Sequence, residues 1–155
     1  MTTSSLLQAL YEGRTDDVDR LRAESGELDL FEASALGDVD RLRRLLDEGA
    51  DPNEFAPDGF TPLTLASFFK HPEAARLLLE RGADVHQRAR NEHIQVLPIH
   101  SAAADGGSVE IVRALLDAGA DVNAVQPGGF RAIDAARQDG NEELERLLLE
   151  RGAEG

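Results

Sequence analysis

The sequence predicts an all-α architecture, an α-solenoid of stacked helix pairs, and three observations carry that expectation. Gly-Ala-Asp recurs from Gly49, Gly82 and Gly119, and Gly-Ala-Glu from Gly152 closes the series, at steps of 33, 37 and 33 residues. A leucine run precedes each copy, at Leu45-Leu46, Leu78-Leu79, Leu115-Leu116 and Leu148-Leu149. Between the runs stand turn and capping residues such as Asp58-Gly59 and Thr61-Pro62. A fixed period of this length marks units that cannot bury an apolar face alone and must stack on their neighbours. Such a stack presents a long open surface instead of a pocket floor, so function is sought in surface rows.

The elements follow in order. Ser5 to Ala23 reads as a shortened pair, because Gly13 stands only 24 residues before Gly37. Ser5 and Gln8 have the spacing of a capping box, which makes this segment an N-terminal cap without a finger. Asp29 to Gly49 keeps Ala33, Gly37, Leu42, Leu45 and Leu46 but lacks a Thr-Pro start. In the next copy Thr61 caps the free amides and Pro62 fits the first helical turn. Lys70-His71 marks the break, Pro72 starts a second helix, and Gly82 stops it in the left-handed conformation glycine accepts. Asp58-Gly59 supplies turn chemistry suited to a β-hairpin finger. The last pair, Arg131 to Arg151, has Asn141 as a cap, Glu142 and Glu143 in the positive first turn, and Arg151 at the negative end. One domain over 1–155 results, with repeats at 5–26 (truncated), 28–58, 59–94, 95–127 and 128–155.

Gly59-Phe60-Thr61-Pro62-Leu63, Leu97-Pro98-Ile99-His100-Ser101-Ala102-Ala103 and Gly119-Ala120-Asp121-Val122-Asn123-Ala124 resemble the ankyrin-repeat signature. The likeness covers nearly the whole chain. It implies a non-catalytic module that binds one protein partner at the finger tips and along the concave row of first helices. Carried over by position, the tips are Phe55, Pro57, Asp58 and Phe60, then Ile94 and Val96, then Pro127 and Phe130. The row reads Tyr11 and Glu12, Ala35 and Leu36, Phe68 and Phe69, Ala104 and Asp105, Gln138 and Asp139. Six of the seven aromatics (six Phe, one Tyr) fall on these positions and only Phe31 does not. A leucine-and-alanine stack does not need rings there, whereas interfaces do. The rings form either an open patch or a seam packed onto Phe31, Leu36 and the neighbouring helices, with Phe60 and Phe69 expected to be partly exposed. The 37-residue step places extra residues in the finger between Val85 and Leu97 and one at Gly106-Gly107-Ser108; that finger carries Arg88 and Arg90, a basic island.

Thirty acidic against sixteen basic side chains give a net charge of −14. Phosphate backbones are repelled, so no nucleic-acid partner is expected. The partner that fits is a protein with an apolar knob beside a basic flank, met by an acidic rim of Asp58, Asp105 and Asp139. The alternative is an acidic inhibitor or immunity-type subunit that blocks a basic active site by charge mimicry. The same surface charge also keeps an open array soluble and monomeric. No apolar run reaches membrane length and the first residues lack a signal-peptide pattern, so the cytoplasm is the default address. Fifteen of the sixteen basic residues are Arg, a bias that goes with a GC-rich bacterial coding sequence.

No enzymatic chemistry is expected. Zero cysteines exclude disulfides and thiolate sites. His100 occupies a repeat position where the resemblance implies hydrogen bonding to local backbone, and His71, before Pro72, is again a repeat feature. His86 and His93 lie near Asp84 and Glu92 without the spacing of a metal site. Serines lack a nucleophile-elbow context, and the Gly-Gly pairs lack the Lys-Ser/Thr of a phosphate loop. No cofactor and no metal is therefore expected.

Overall fold

The computed structural model describes residues 3–155. Ten helices follow as five helix–turn–helix pairs: α1 (Ser5–Tyr11) with α2 (Thr15–Glu24), α3 (Leu30–Leu36) with α4 (Val39–Asp47), α5 (Pro62–Phe68) with α6 (Pro72–Glu80), α7 (Pro98–Ala103) with α8 (Val109–Asp117), and α9 (Ala132–Gln138) with α10 (Glu142–Glu150). First helices pack side by side in the order α1, α3, α5, α7, α9, while α4, α6, α8 and α10 form a second row.

Local chemistry sets most helix starts. Thr61 Oγ1 accepts from the Thr64 amide at 3.2 Å, with Pro62 opening the helix. Asn141 Oδ1 accepts from the Leu144 amide at 3.0 Å. Asp29 and Glu32 form a reciprocal capping box, at 2.8 and 3.0 Å. At the first helix the cap is Ser4, one residue earlier than the sequence suggests: its Oγ accepts from the Leu7 amide at 3.2 Å. Ser5 lies inside the helix, and Gln8 donates to Glu12. A cap needs extended backbone, and Ser4 has it.

Leu42, Leu78, Leu115 and Leu148, on α4, α6, α8 and α10, are each wholly buried, as is Leu144 on α10. Burying each from water contributes roughly 1.5–3 kcal/mol. The second leucine of each run is less uniform. Leu46 is buried, Leu79 and Leu116 are half-buried, and Leu149 is 45% exposed. In a one-dimensional stack a residue is covered only by its neighbours, so Leu149 on the last helix contributes little. At the other end, α2 has no fully buried residue.

Neighbouring loops are zipped by asparagine. Asn53 donates to the Gly82 carbonyl at 3.0 Å and accepts from the Asp84 amide at 2.8 Å; Asn123 does the same with Gly152 and Glu154. Asp51, Asp84 and Asp121 each accept from the amide two residues on. The fingers turn back as hairpins do, with Ala56 N–H donating to Phe60 O at 2.8 Å and Gln126 N–H to Phe130 O at 2.9 Å. No strand forms among the described residues, however, because the pairing ends after these closures.

At α7 the side chain of Leu97 cannot cap, and His100 supplies only the returning half of a capping box. Its Nδ1 accepts from the Leu97 amide at 3.2 Å, and Nε2 lies 2.9 Å from the Ala124 carbonyl, so the neutral ring donates there. Burial holds His100 below its ordinary pKa against the opposing Ala124 bond, and burial also lowers His71. The unfolded chain thus takes up protons first. Stability from these rings is complete above about pH 6.5 and is lost as pH falls from there to the folded-state values. Urea midpoints are expected to fall between about pH 7.5 and about pH 5.5, and His100→Gln is expected to flatten that fall. An equal slope in the variant contradicts the assignment.

Candidate interaction surface

Tyr11, the last residue of α1, joins the first pair to the first finger. Its hydroxyl donates to Asp58 Oδ2 at 2.8 Å. Its ring stacks on Phe69 at 5.9 Å between centroids and lies 6.0 Å from Phe60. Phe68 meets Phe69 edge-on at 5.0 Å. Beneath them Leu7, Ala35 and Leu65 form a small buried cluster, separate from the main core, onto which Leu10, Phe31, Phe60 and Phe69 pack. The ring row is therefore half seam and half patch. Phe60 and Phe69 are half-buried, as expected, but the most exposed ring of this group is Phe68 at 41%, followed by Tyr11 at 38%. Burial, reinforced by the Asp58 acceptor and its charge, raises the Tyr11 phenol far above its ordinary range and keeps it a neutral donor.

A groove of about 510 Å³ opens beside this cluster, lined by Tyr11, Phe60, Leu65, Phe68, Ile94 and Val96. Ile94 is 48% exposed and extends the apolar wall onto the long finger. Gln8, Glu12, Asp58 and His93 contribute the polar edge. A second groove, about 280 Å³, lies between α7 and α9 and is lined by Asp105, Phe130 and Asp139 with His100, Arg131 and Gln138. Phe130 is 50% exposed there.

Several expected contact residues have other tasks. Asp58 is a joint more than a free rim: besides Tyr11, its Oδ1 accepts from the Phe60 backbone amide at 3.3 Å, and its carbonyl accepts from the Asn91 side-chain Nδ2 at 2.8 Å. The basic island is not free either. Arg88 donates to the Gln95 carbonyl at 2.7 Å and to the Val125 carbonyl at 3.2 Å, bracing the long finger against the next. Arg90 places its guanidinium 4.1 Å above the Phe55 ring. Arg88 is consumed because a long loop without strand pairing needs other partners for its backbone carbonyls, and Arg90 by the face of the Phe55 ring. Leu36 packs against the main core and lines neither groove. Arg88→Ala is expected to cost about 1–2 kcal/mol locally and to speed proteolytic cutting within 86–96 while global melting barely moves. Unchanged cutting removes the brace.

In the sequence Lys70 only marks the break between two helices, and its bond to the next pair gave no local sign. It holds φ 62, where Gly13, Gly37 and Gly140 hold 67, 70 and 66. Its Nζ donates to the Ser101 carbonyl at 2.7 Å and the Ala102 carbonyl at 3.3 Å, across to the next pair. Burial lowers its pKa to about 8, against the pull of Asp105 and Asp139. The position alone was visible: the chain's only lysine stands where other pairs use glycine. Val125, 50% exposed on the last finger, was also passed over.

Ankyrin-repeat models match in two places: ankyrin repeats in three copies over residues 3–89, and a further ankyrin repeat over 97–126. The chain belongs to the ankyrin-repeat family. It is 30% identical to bovine (Bos taurus) cyclin-dependent kinase 4 inhibitor B over 128 residues, covering 83% of this ankyrin array and 95% of the relative. It is 41% identical over 95 residues to the ankyrin repeat and KH domain-containing protein mask of Drosophila melanogaster, covering 60% of the array and 2% of that protein. With mouse (Mus musculus) ankyrin repeat and SOCS box protein 5 the identity is 36% over 122 residues, covering 79% of the array and 35% of the relative. The array thus spans only a small part of several relatives it matches. Ankyrin repeats indicate a protein–protein interaction module. No helix among the described residues is long and apolar enough to cross a membrane.

Proposed function

We propose that this chain is a non-catalytic, monomeric binding unit that captures one protein partner in the groove between the first helices and the long finger. The observation that carries this reading is the convergence of Tyr11, Phe60, Phe68, Ile94 and Val96, contributed by three separate stretches of chain, around one open apolar cavity of about 510 Å³. An apolar surface of this kind, rimmed by polar residues, is what a soluble protein keeps for an interface. Aromatic anchors supply large contact area at low entropic cost. Asp105, Phe130 and Asp139 extend the surface toward α9, whereas Phe55, Arg88 and Arg90 act by holding the fingers in place.

A second reading is that capture inactivates the partner. What favours it is the similarity over nearly the whole of a relative named as a kinase inhibitor. In its charge-mimicry form, acidic side chains would fill a basic active site. Salt distinguishes the two: mimicry loses affinity steeply as ionic strength rises, and apolar capture survives moderate salt. The test is affinity capture from native lysate with intact protein beside Phe68→Ala, at low and moderate salt. A partner held equally well by both proteins overturns the groove assignment.

A further inference from the structure

We propose that the two grooves act together on one extended partner segment, taking a bulky apolar side chain in the first and an arginine or lysine in the second. This rests on the reading of the array as a protein-binding surface and names the chemistry that the surface selects.

The grooves share α7. Ser101 lines the first and His100 and Ala104 line the second, with α5 and α9 on either side. Packed helices lie roughly 10 Å apart. An extended chain advances roughly 3.3 Å per residue, so the two side chains stand about three residues apart. The first groove accepts a large apolar group because Leu65, Phe68, Ile94 and Val96 face it and need no polar partner. The second is different in kind. Asp105 is exposed and makes no ion pair among the described residues, and Asp139 gives one oxygen to the Gly106 amide at 2.8 Å and keeps the other free.

The nearby cations are already engaged. Lys70 donates to the Ser101 and Ala102 carbonyls, and its single charge, which Asp105 and Asp139 feel, offsets no more than one of the two carboxylates. Arg131 is held by Asp134 at 3.4 Å and by the Glu154 carbonyl at 3.0 Å. With a net charge of −14 over the chain, a cationic side chain arriving from solvent is attracted and an acidic one repelled.

The experiment selects a phage-displayed random peptide library on the immobilised full chain. The expected winners carry a large aliphatic or aromatic residue with Arg or Lys two to four positions away. Phe68→Ala then weakens a selected peptide about tenfold. Asp105→Asn with Asp139→Asn weakens it a few-fold and removes the advantage of the Arg peptide over its Gln analogue. Asparagine tolerates the left-handed backbone of Asp105, so that variant keeps the fold. Winners that lack a cation, or an Arg preference indifferent to the two Asn changes, overturn the two-groove inference while the array remains a peptide binder. No enrichment also overturns it. Only a simultaneous failure of lysate capture removes the broader binding reading.

Discussion

Gly59→Ala is expected to destabilise the array by about 3 kcal/mol or more, because strain and overlap act at once. Gly59 has φ +89, and a Cβ there would lie 2.5 Å from the Arg90 carbonyl carbon and 2.6 Å from Arg90 O and Asn91 N. Those atoms are backbone and cannot rotate away. Moving them breaks the 2.8 Å bond from the Arg90 amide to the Gly59 carbonyl, which joins the first finger to the second. Melting is expected to fall by on the order of 10 °C. Gly128→Ala is the control: its φ is +98, yet nothing lies within 4 Å of the added carbon. Only the conformational penalty of about 1–2 kcal/mol remains there. Equal losses in the two variants would mean that the close approach of the fingers carries no energy.

Phe68→Ala and Phe69→Ala are expected to separate binding from stability. Phe68 is 41% exposed and lines the first groove, so its removal costs about 1 kcal/mol of stability or less. The same change weakens capture of a partner at least about tenfold, since a central aromatic anchor is lost. Phe69 lies under Tyr11 and beside Leu65 in the second apolar cluster. Truncating it leaves a void there and costs about 2–3 kcal/mol. Any loss of binding in Phe69→Ala follows from displaced Tyr11 and Phe60. Changing both rings together would confound the two effects. The pair of single variants, followed by thermal melting and by capture, resolves them: equal melting losses would make Phe68 a core residue and withdraw the groove.

Much of the scaffold was legible because its determinants are local. Thr61 and Asn141 cap their helices through amides three residues away, and a repeat leaves its period in the chain. The error at the first cap was one residue, since neighbouring serines offer the same hydroxyl and only backbone conformation selects Ser4. The candidate site was legible as a set of positions, but the task of each side chain was not. Composition counts Arg88 and Arg90 as free charge. Their guanidinium groups are instead committed to carbonyls and to the Phe55 ring, which no local pattern announces.

By itself the sequence determined the stacked helix pairs, their family, most of the caps and the turn carboxylates, and a net charge of −14. Those depend on contacts within a few residues or on sums over the chain. Only the tertiary structure decided which rings face water. That outcome turns on groups far apart in sequence, as when the Tyr11 hydroxyl meets Asp58 across 47 residues and the ring covers Phe69. It also decided the role of Lys70, whose ammonium finds its acceptors 31 and 32 residues on, at the end of the next first helix. Burial and long-range hydrogen bonding are properties of the packed stack, and they assign different work to residues that look alike in the chain.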